Sequence, residues 1–440
     1  MASAASTPPI LRLLRPFQVF LENKAAGGIL LLACTVVALL WANSPLSGFY
    51  TALWETKFTI GIGTAQLSKP LLLWVNDGLM AVFFFLVGLE IKREILVGEL
   101  ASPRQAALPI AAAIGGVVIP ALIYTFFNAG GPGSAGWGIP MATDIAFALG
   151  VLALLGNRIP LALTIFLTAL ANVDDIAAVL VIAVFYTAQI STPALLASAA
   201  CLLVLALLNL LQVRWPIAYV AVGLLLWLAV LKSGIHATVA GVVLAFFIPS
   251  RTRIDPAAFV EHARGLLHHF ERSSQPEAGL LSNDEQQGAL HTLEEATEDV
   301  QPPLHRLEHG LHPWVSFLIM PIFALANAGV TLDTSAAQAI AHPVPVGVFA
   351  GLLFGKPAGI FLAAWLAVRF KIADLPNAVT WSHIHGVGWL CGIGFTMSLF
   401  VASLAFGASP MLSLAKLGIL AGSACAAVVG SFLLLRVPRG

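Results

Sequence analysis

About twelve runs of roughly 20 mostly apolar residues dominate this chain, each the length a helix needs to cross the hydrocarbon core of a bilayer. Read between charges, Pro and Gly, they cover 25–42, 71–91, 106–128, 138–155, 160–187, 193–212, 215–231, 233–249, 313–331, 344–368, 386–407 and 411–435. In lipid every backbone polar group has to be paired within the protein, so runs of this length commit the chain to helices. Of 440 residues, 59% are apolar and only 10% are charged. That is too little charge to coat a soluble enzyme and too apolar for a disordered chain. Lys plus Arg, 22, equals Asp plus Glu, 22, which leaves no basic excess for nucleic acid. Cys34, Cys201, Cys391 and Cys425 are scattered through apolar runs without metal-ligand spacing or a disulfide framework, and read as packing residues. The expected fold class is an all-α membrane protein, one polytopic domain over 1–440.

Lys and Arg placement sets the orientation. With the N-terminus in the cytoplasm, seventeen basic residues fall inside and only four outside: Lys57, Lys69, Lys232 and Lys416. Both termini are then cytoplasmic. Residues 1–23 are interrupted by Arg12, Arg15 and Pro16 and read as an amphipathic surface segment, not a cleaved signal. Phe58, Ile60 and Ile62 at period 2, with Gly61 and Gly63 interleaved, predict an outside β-hairpin within 43–70. Residues 250–312 hold seven of the eleven histidines and an acidic cluster at Glu294, Glu295, Glu298 and Asp299. They read as a solvated, partly disordered cytoplasmic loop, with a pH-responsive or metal-binding role as the sharper alternative.

A charge at the centre of a spanning helix costs ~2.5–3.5 kcal/mol on insertion scales. Asp77, Asp144, Asp174, Asp175 and Lys356 all sit deep in apolar runs, and that cost points to an ion or proton path. Asp174 and Asp175 are adjacent midway along the fifth run. Two carboxylates so close cannot both stay freely charged in a low dielectric, so the pair has to share a proton or a cation. Oxygen donors of this kind suit a hard cation. Asp144 follows Gly136, Gly138 and Pro140, which suggests an interrupted helix whose positive end an acid can balance. Lys356, in Gly355-Lys356-Pro357, either pairs with a carboxylate such as Asp174 or carries a proton itself. The upstream glycines of a phosphate loop are missing there.

The fourth and eleventh runs resemble one another. Gly136-Trp137, Thr143 and Phe147 recur as Gly388-Trp389, Thr396 and Phe400, with Gly138 in the first run and Gly392 and Gly394 in the second. Spans 3–5 and 10–12 run in opposite senses across the bilayer. Together these features predict an inverted repeat with two interrupted helices crossing at the midplane.

Several stretches together resemble the NhaA family of sodium/proton antiporters. They are Met141–Gly150, Val173-Asp174-Asp175, Gly234-Ile235-His236-Ala237-Thr238, Phe323–Gly329, Gly355-Lys356-Pro357 and Cys391–Met397, spread over spans 4 to 11 in the family's order. The resemblance implies exchange of sodium or lithium for protons, pH-regulated and electrogenic, in a bacterial inner membrane. It implies no cofactor beyond the transported ions, no enzyme activity, and a homodimer formed through the 43–70 hairpin in contact with membrane lipid. By the same resemblance Asp174 and Asp175 bind the cation and protons, and Thr143 lines the site. Asp144 balances half-helix ends, and Lys356 pairs with Asp174 or compensates the opposite ends. Asp77 lies in the cytoplasmic funnel. Glu90, Lys92, Arg93, Glu94, Glu308 and His236 fall at positions tied to pH regulation. The 250–312 loop is longer than the family leads one to expect.

Two rival readings are weaker. An intramembrane aspartyl protease needs a Gly-x-Gly-Asp arrangement that is missing here, and adjacent carboxylates cannot flank a peptide bond. A sodium-coupled symporter of an organic anion needs anion-facing groups where this chain carries acids.

Overall fold

The structure is a computed structural model that describes residues 25–63, 65–187, 190–273, 283–331 and 341–437. The surface segment expected over 1–23 lies outside these residues. Helix α1 (Ala26–Ala42) turns through 113° into the short α2 (Ser47–Glu55). Next comes an antiparallel hairpin of β1 (Lys57–Ile62) and β2 (Ala65–Pro70), in register from Lys57 opposite Pro70 to Ile62 opposite Ala65. Gly63, at φ +59°, supplies the left-handed residue of its turn.

The helices that follow are α3 (Leu71–Val97), α4 (Pro103–Asn128), α5 (Ile145–Leu154, after a 3₁₀ stretch Ser134–Met141), α6 (Leu161–Phe185), α7 (Thr192–Leu210), α8 (Pro216–Ser233) and α9 (Thr238–Phe247). After them come α10 (Pro256–Arg272), α11 (Asp284–Val300), α12 (Pro303–Asn327), α13 (Pro343–Arg369), α14 (Trp381–Cys391), α15 (Phe395–Phe406) and α16 (Pro410–Arg436). Among the described residues nine helical stretches are long and apolar enough to cross a membrane, with α14 and α15 forming a further pair bent by 45°. The protein is an all-α, multi-pass membrane protein. Peripheral helices show the lipid-facing pattern: Leu196, Leu203, Leu207 and Leu210 of α7 stand exposed at helical spacing.

Close packing at the centre depends on small residues. Gly115 of α4 meets Gly359 of α13 backbone to backbone, and a Cβ on either would collide with the other's carbonyl oxygen. Phe84 of α3 and Phe323 of α12 gather around Phe400 of α15, with ring centroids 5.5 and 6.3 Å from it. Wide π-helical turns interrupt α3 at Trp74–Leu79, α12 at Val315–Ile319 and α13 at Gly351–Gly355. The last two lie just before Pro321 and Pro357, whose missing N–H and ring bulk disturb the preceding turn.

The 250–312 segment carries more regular structure than the expected solvated, partly disordered loop. Helices α10 and α11 pack against each other as a polar helical hairpin. Asp255 caps α10 by accepting from Ala257 N–H at 3.0 Å, and Asn283 caps α11 by accepting from Gln286 N–H at 3.2 Å. The less exposed residues of α10 (Phe259, Ala263, Leu266, Phe270) and of α11 (Gln286, Ala289, Leu293, Ala296) fall at spacings of three and four. This seam suffices for two helices, though its composition is too polar to announce itself. Residues 274–282, part of the same prediction, lie outside the described residues.

Candidate functional site

The site begins at two breaks. Gly136, Gly138 and Pro140 leave Ser134–Met141 in a tight 3₁₀ form, and the chain extends through Ala142 before α5 starts at Ile145. Gly392 to Gly394 separate α14 from α15, which are bent by 45° from one another. The breaks touch, and each satisfies backbone groups that the other has freed. Asp144 N–H donates to the Ile393 carbonyl at 2.7 Å. Ser398 Oγ donates to the Ile139 carbonyl at 2.8 Å.

Asp144, 1% exposed, serves two helix starts at once. Its Oδ1 accepts from Phe147 N–H in the first turn of α5 at 2.9 Å. Its Oδ2 accepts from Thr396 N–H at 3.1 Å and from the Thr396 hydroxyl, in the first turn of α15. Backbone N–H groups at helix N-termini carry partial positive charge, and a carboxylate there is favoured. One of the opposite ends meets a cation. Lys356, fully buried, donates through Nζ to the carbonyl of Met141, at the end of the 3₁₀ stretch, and to Asp174 Oδ2. The π-helical turn and Pro357 position this lysine on α13.

Asp174 and Asp175 lie midway along α6, each 2% exposed. Thr143 Oγ1 stands 2.6 Å from Asp174 Oδ2 and 3.0 Å from the Cys391 carbonyl, so its single proton faces two acceptors. Asp174 Oδ1 has no hydrogen-bond partner among the described residues, and neither polar atom of the buried Asn172 has one. The structure thus joins Thr143, Asp144, Asp174 and Lys356 through four segments far apart in sequence, with Asp175 next to Asp174.

The remaining predicted residues lie elsewhere. Asp77 pairs with Lys69 of β2 at 2.8 Å, and its carbonyl accepts from Trp227 Nε1 at 2.9 Å. It therefore sits at the hairpin end of α3, roughly 24 Å along the helix from Arg93. An outside hairpin and a cytoplasmic-funnel Asp77, both expected from the sequence, do not hold together, because Lys69 of that hairpin pairs with Asp77. Arg93 stands 3.2 Å from Glu94 and 3.3 Å from Glu308 of α12. Lys92 donates to the carbonyls of Phe246 and Ile248 at the end of α9, at 2.7 and 2.5 Å. Glu90 lies one turn before these groups on α3. His236 is not with them. It precedes the opposite end of α9, with its ring 6.4 Å from that of Phe400.

Reading the sequence assigned no role to the carbonyls of Met141 and Cys391, to the hydroxyls of Thr396 and Ser398, or to the buried amides. Asn76 and Asn327 exchange hydrogen bonds at 3.3 and 2.8 Å. An Asn within an apolar run was the available signal, of the same kind as the aspartates.

These features define a polytopic membrane protein with an ionisable centre buried where two broken helices cross. The family described as Na+/H+ antiporter 1 matches residues 18–434. The Na(+)/H(+) antiporter NhaA of Oleidesulfovibrio alaskensis is 54% identical over 433 residues, 98% of this chain and 96% of the relative. That of Koribacter versatilis is 53% identical over 98% of this chain and 94% of its own length. Na(+)/H(+) antiporter NhaA 1 of Pseudomonas putida is 49% identical, covering 94% of each. The chain belongs to the Na+/H+ antiporter 1 family.

Proposed function

We infer that this protein exchanges sodium, or lithium, for protons across the membrane, and that the exchanged ions share the carboxylates of Asp174 and Asp175. The observation that carries the reading is the ion pair of Asp174 with the fully buried Lys356 at the crossing. A proton or a hard cation on Asp174 competes with that pair. The same oxygens serve either ion, and binding one disfavours the other. Thr143 then lines the site. Asp144 compensates the two N-terminal helix ends it bonds to, and Lys356 the carbonyl end at Met141. Adding sodium to proteoliposomes containing the protein should drive proton movement against the sodium gradient. Absence of sodium-dependent proton flux from an active reconstitution would remove the reading.

The finer reading has twelve spans, counting α1, α9 and the α14–α15 pair with the nine long apolar stretches. It places both termini in the cytoplasm of a bacterial inner membrane, the 43–70 hairpin outside, 250–312 inside and Asp77 on the outer side. The mutual Gly115–Gly359 contact supports an inverted repeat of spans 3–5 and 10–12, since equivalent helices meet about a pseudo-twofold axis. The hairpin, exposing Phe58 and Ile60, is the surface for a homodimer among membrane lipids. Two adjacent carboxyls can each yield a proton to one sodium, which makes the exchange electrogenic and its rate sensitive to an imposed membrane potential. Regulation by pH falls to Glu90, Lys92, Arg93, Glu94 and Glu308 at the inner end of α3, with His236 acting apart from them. The reading needs no resident cofactor.

A further inference from the structure

Asn172 is a polar group in the carboxylate helix for which the exchange reading has no use. It stands two residues before Asp174 between Ala171 and Val173, and its side chain is 1% exposed. Neither Oδ1 nor Nδ2 has a hydrogen-bond partner among the described residues. Other buried amides are satisfied: Asn76 and Asn327 bond to each other, and Asn128 donates to the carbonyls of Tyr124 and Pro343. An unpaired buried amide is a cost to folding, and Asn is a poorer helix former than Ala or Leu. Neither packing nor helix propensity accounts for it.

Its position on α6 does. Successive residues turn by about 100°, so Asp175 lies about 60° from Asn172 and one turn further on, with Asp174 about 100° to its other side. Asp175 is therefore flanked by Asn172 and Asp174, and Asp174 Oδ1 is itself without a partner among the described residues. We propose that Asn172 is a further cation-binding residue of the exchange site, its Oδ1 joining the carboxylates of Asp175 and Asp174 around the desolvated sodium ion. This rests on the exchange reading. An amide oxygen is a hard donor that a small cation accepts readily, and it does not take up a proton in the working pH range. It strengthens cation binding without strengthening proton binding, and so sets how much sodium is needed to displace protons at a given pH.

The test compares the full-length wild type with Asn172→Leu, Asn172→Ala and Asn172→Asp in proteoliposomes, measuring sodium-driven proton flux, and in detergent, measuring melting with and without sodium. Leu and Ala should raise the apparent sodium constant about tenfold, the size expected from one lost polar contact, while the maximal rate stays near wild type. Sodium should protect these variants less from melting. Asn172→Asp keeps an oxygen that now titrates, so sodium binding should recover at alkaline pH and fall more steeply on acidification. A wild-type sodium constant in both Leu and Ala variants overturns the proposal, most clearly if Leu also raises the melting temperature without sodium. Absence of exchange in the wild type would instead remove the reading beneath it.

Discussion

The crossing of the two broken helices and the 250–312 segment hold titratable groups in opposite ways. At the crossing, three carboxyls and one ammonium are each at most 2% exposed. Their partners come from remote parts of the chain, Thr396 for Asp144 and Lys356 for Asp174. In the segment, His268 pairs with Glu271 and His291 with Glu295 on their own helices, at distances of 3.9 and 3.5 Å, and all four side chains are more than 60% exposed. Water already solvates those charges and salt screens them. At the crossing only other protein groups, a proton or a cation can do so. If exchange runs through the crossing as proposed, desolvation, rather than the number of titratable groups, decides where pH and sodium act.

The strongest way to break this contrast is to neutralise the centre. Asp174→Asn or Asp175→Asn should abolish exchange in vesicles while the protein stays inserted, because the oxygen that alternates between proton and cation is gone. Near-normal exchange in either variant would remove the carboxylate pair from the site.

Stability should separate the two regions next. Lys356→Ala leaves the Met141 carbonyl and part of the Asp174 carboxylate uncompensated in the core, and breaking a buried pair costs ~3–5 kcal/mol. Arg253 and Arg306 pair with Asp299 and Glu298 at 3.4 and 2.8 Å, but Arg253 and Glu298 are more than 60% exposed. Such surface pairs contribute about 0–1 kcal/mol. Melting in detergent should therefore fall by several degrees for Lys356→Ala and hardly move for Arg253→Ala or Arg306→Ala. Equal shifts would erase the distinction.

The pH dependence sharpens it further. A proton on Asp174 or Asp175 removes a cation ligand, so the apparent sodium constant should rise as pH falls. For one competing proton the rise approaches about tenfold per pH unit. Measuring that constant from alkaline to acidic pH tests the competition. A constant independent of pH would mean that sodium and protons occupy different groups.

Much of the centre was legible because charge in an apolar run is costly and therefore conspicuous. Asp144, Asp174, Asp175 and Lys356 showed themselves by that cost, and the glycines around positions 138 and 392 showed where helices break. What could not be read are the pairings. The carbonyls of Met141 and Cys391 matter because tertiary packing brings Lys356 and Thr143 to them, and no residue type marks a carbonyl. Asn172 was visible as a polar residue, but its lack of a partner among the described residues is a property of the folded neighbourhood. Asp77 and the hairpin were expected at opposite sides of the membrane although their nearness was in the sequence, and the Lys69 pair puts them together. The α10–α11 hairpin was missed because its seam mixes Ala and Gln with a few larger apolar residues.

That hairpin bears the smallest expected effect. Removing residues 256–300 takes out α10 and α11 with four of the seven histidines of the segment. The remaining ends already meet, because Leu304 N–H donates to the Pro249 carbonyl at 3.1 Å. Joining 255 to 301 therefore demands no rearrangement of α9 or α12. Among the described residues, the links lost include the exposed pairs of Arg253 and Arg306 and the backbone contact from Arg253 N–H to the Asp299 carbonyl at 2.9 Å. On the proposed reading the buried carboxylates supply pH dependence on their own, and Arg93, Glu94 and Glu308 keep their contacts. The deletion variant should exchange sodium for protons at a rate close to the full chain, with its pH profile moved by less than about half a unit. The rate measured across pH decides it. A displacement of about one unit or more, in a variant that still inserts and melts cooperatively, would show that solvated histidines reach the buried centre after all.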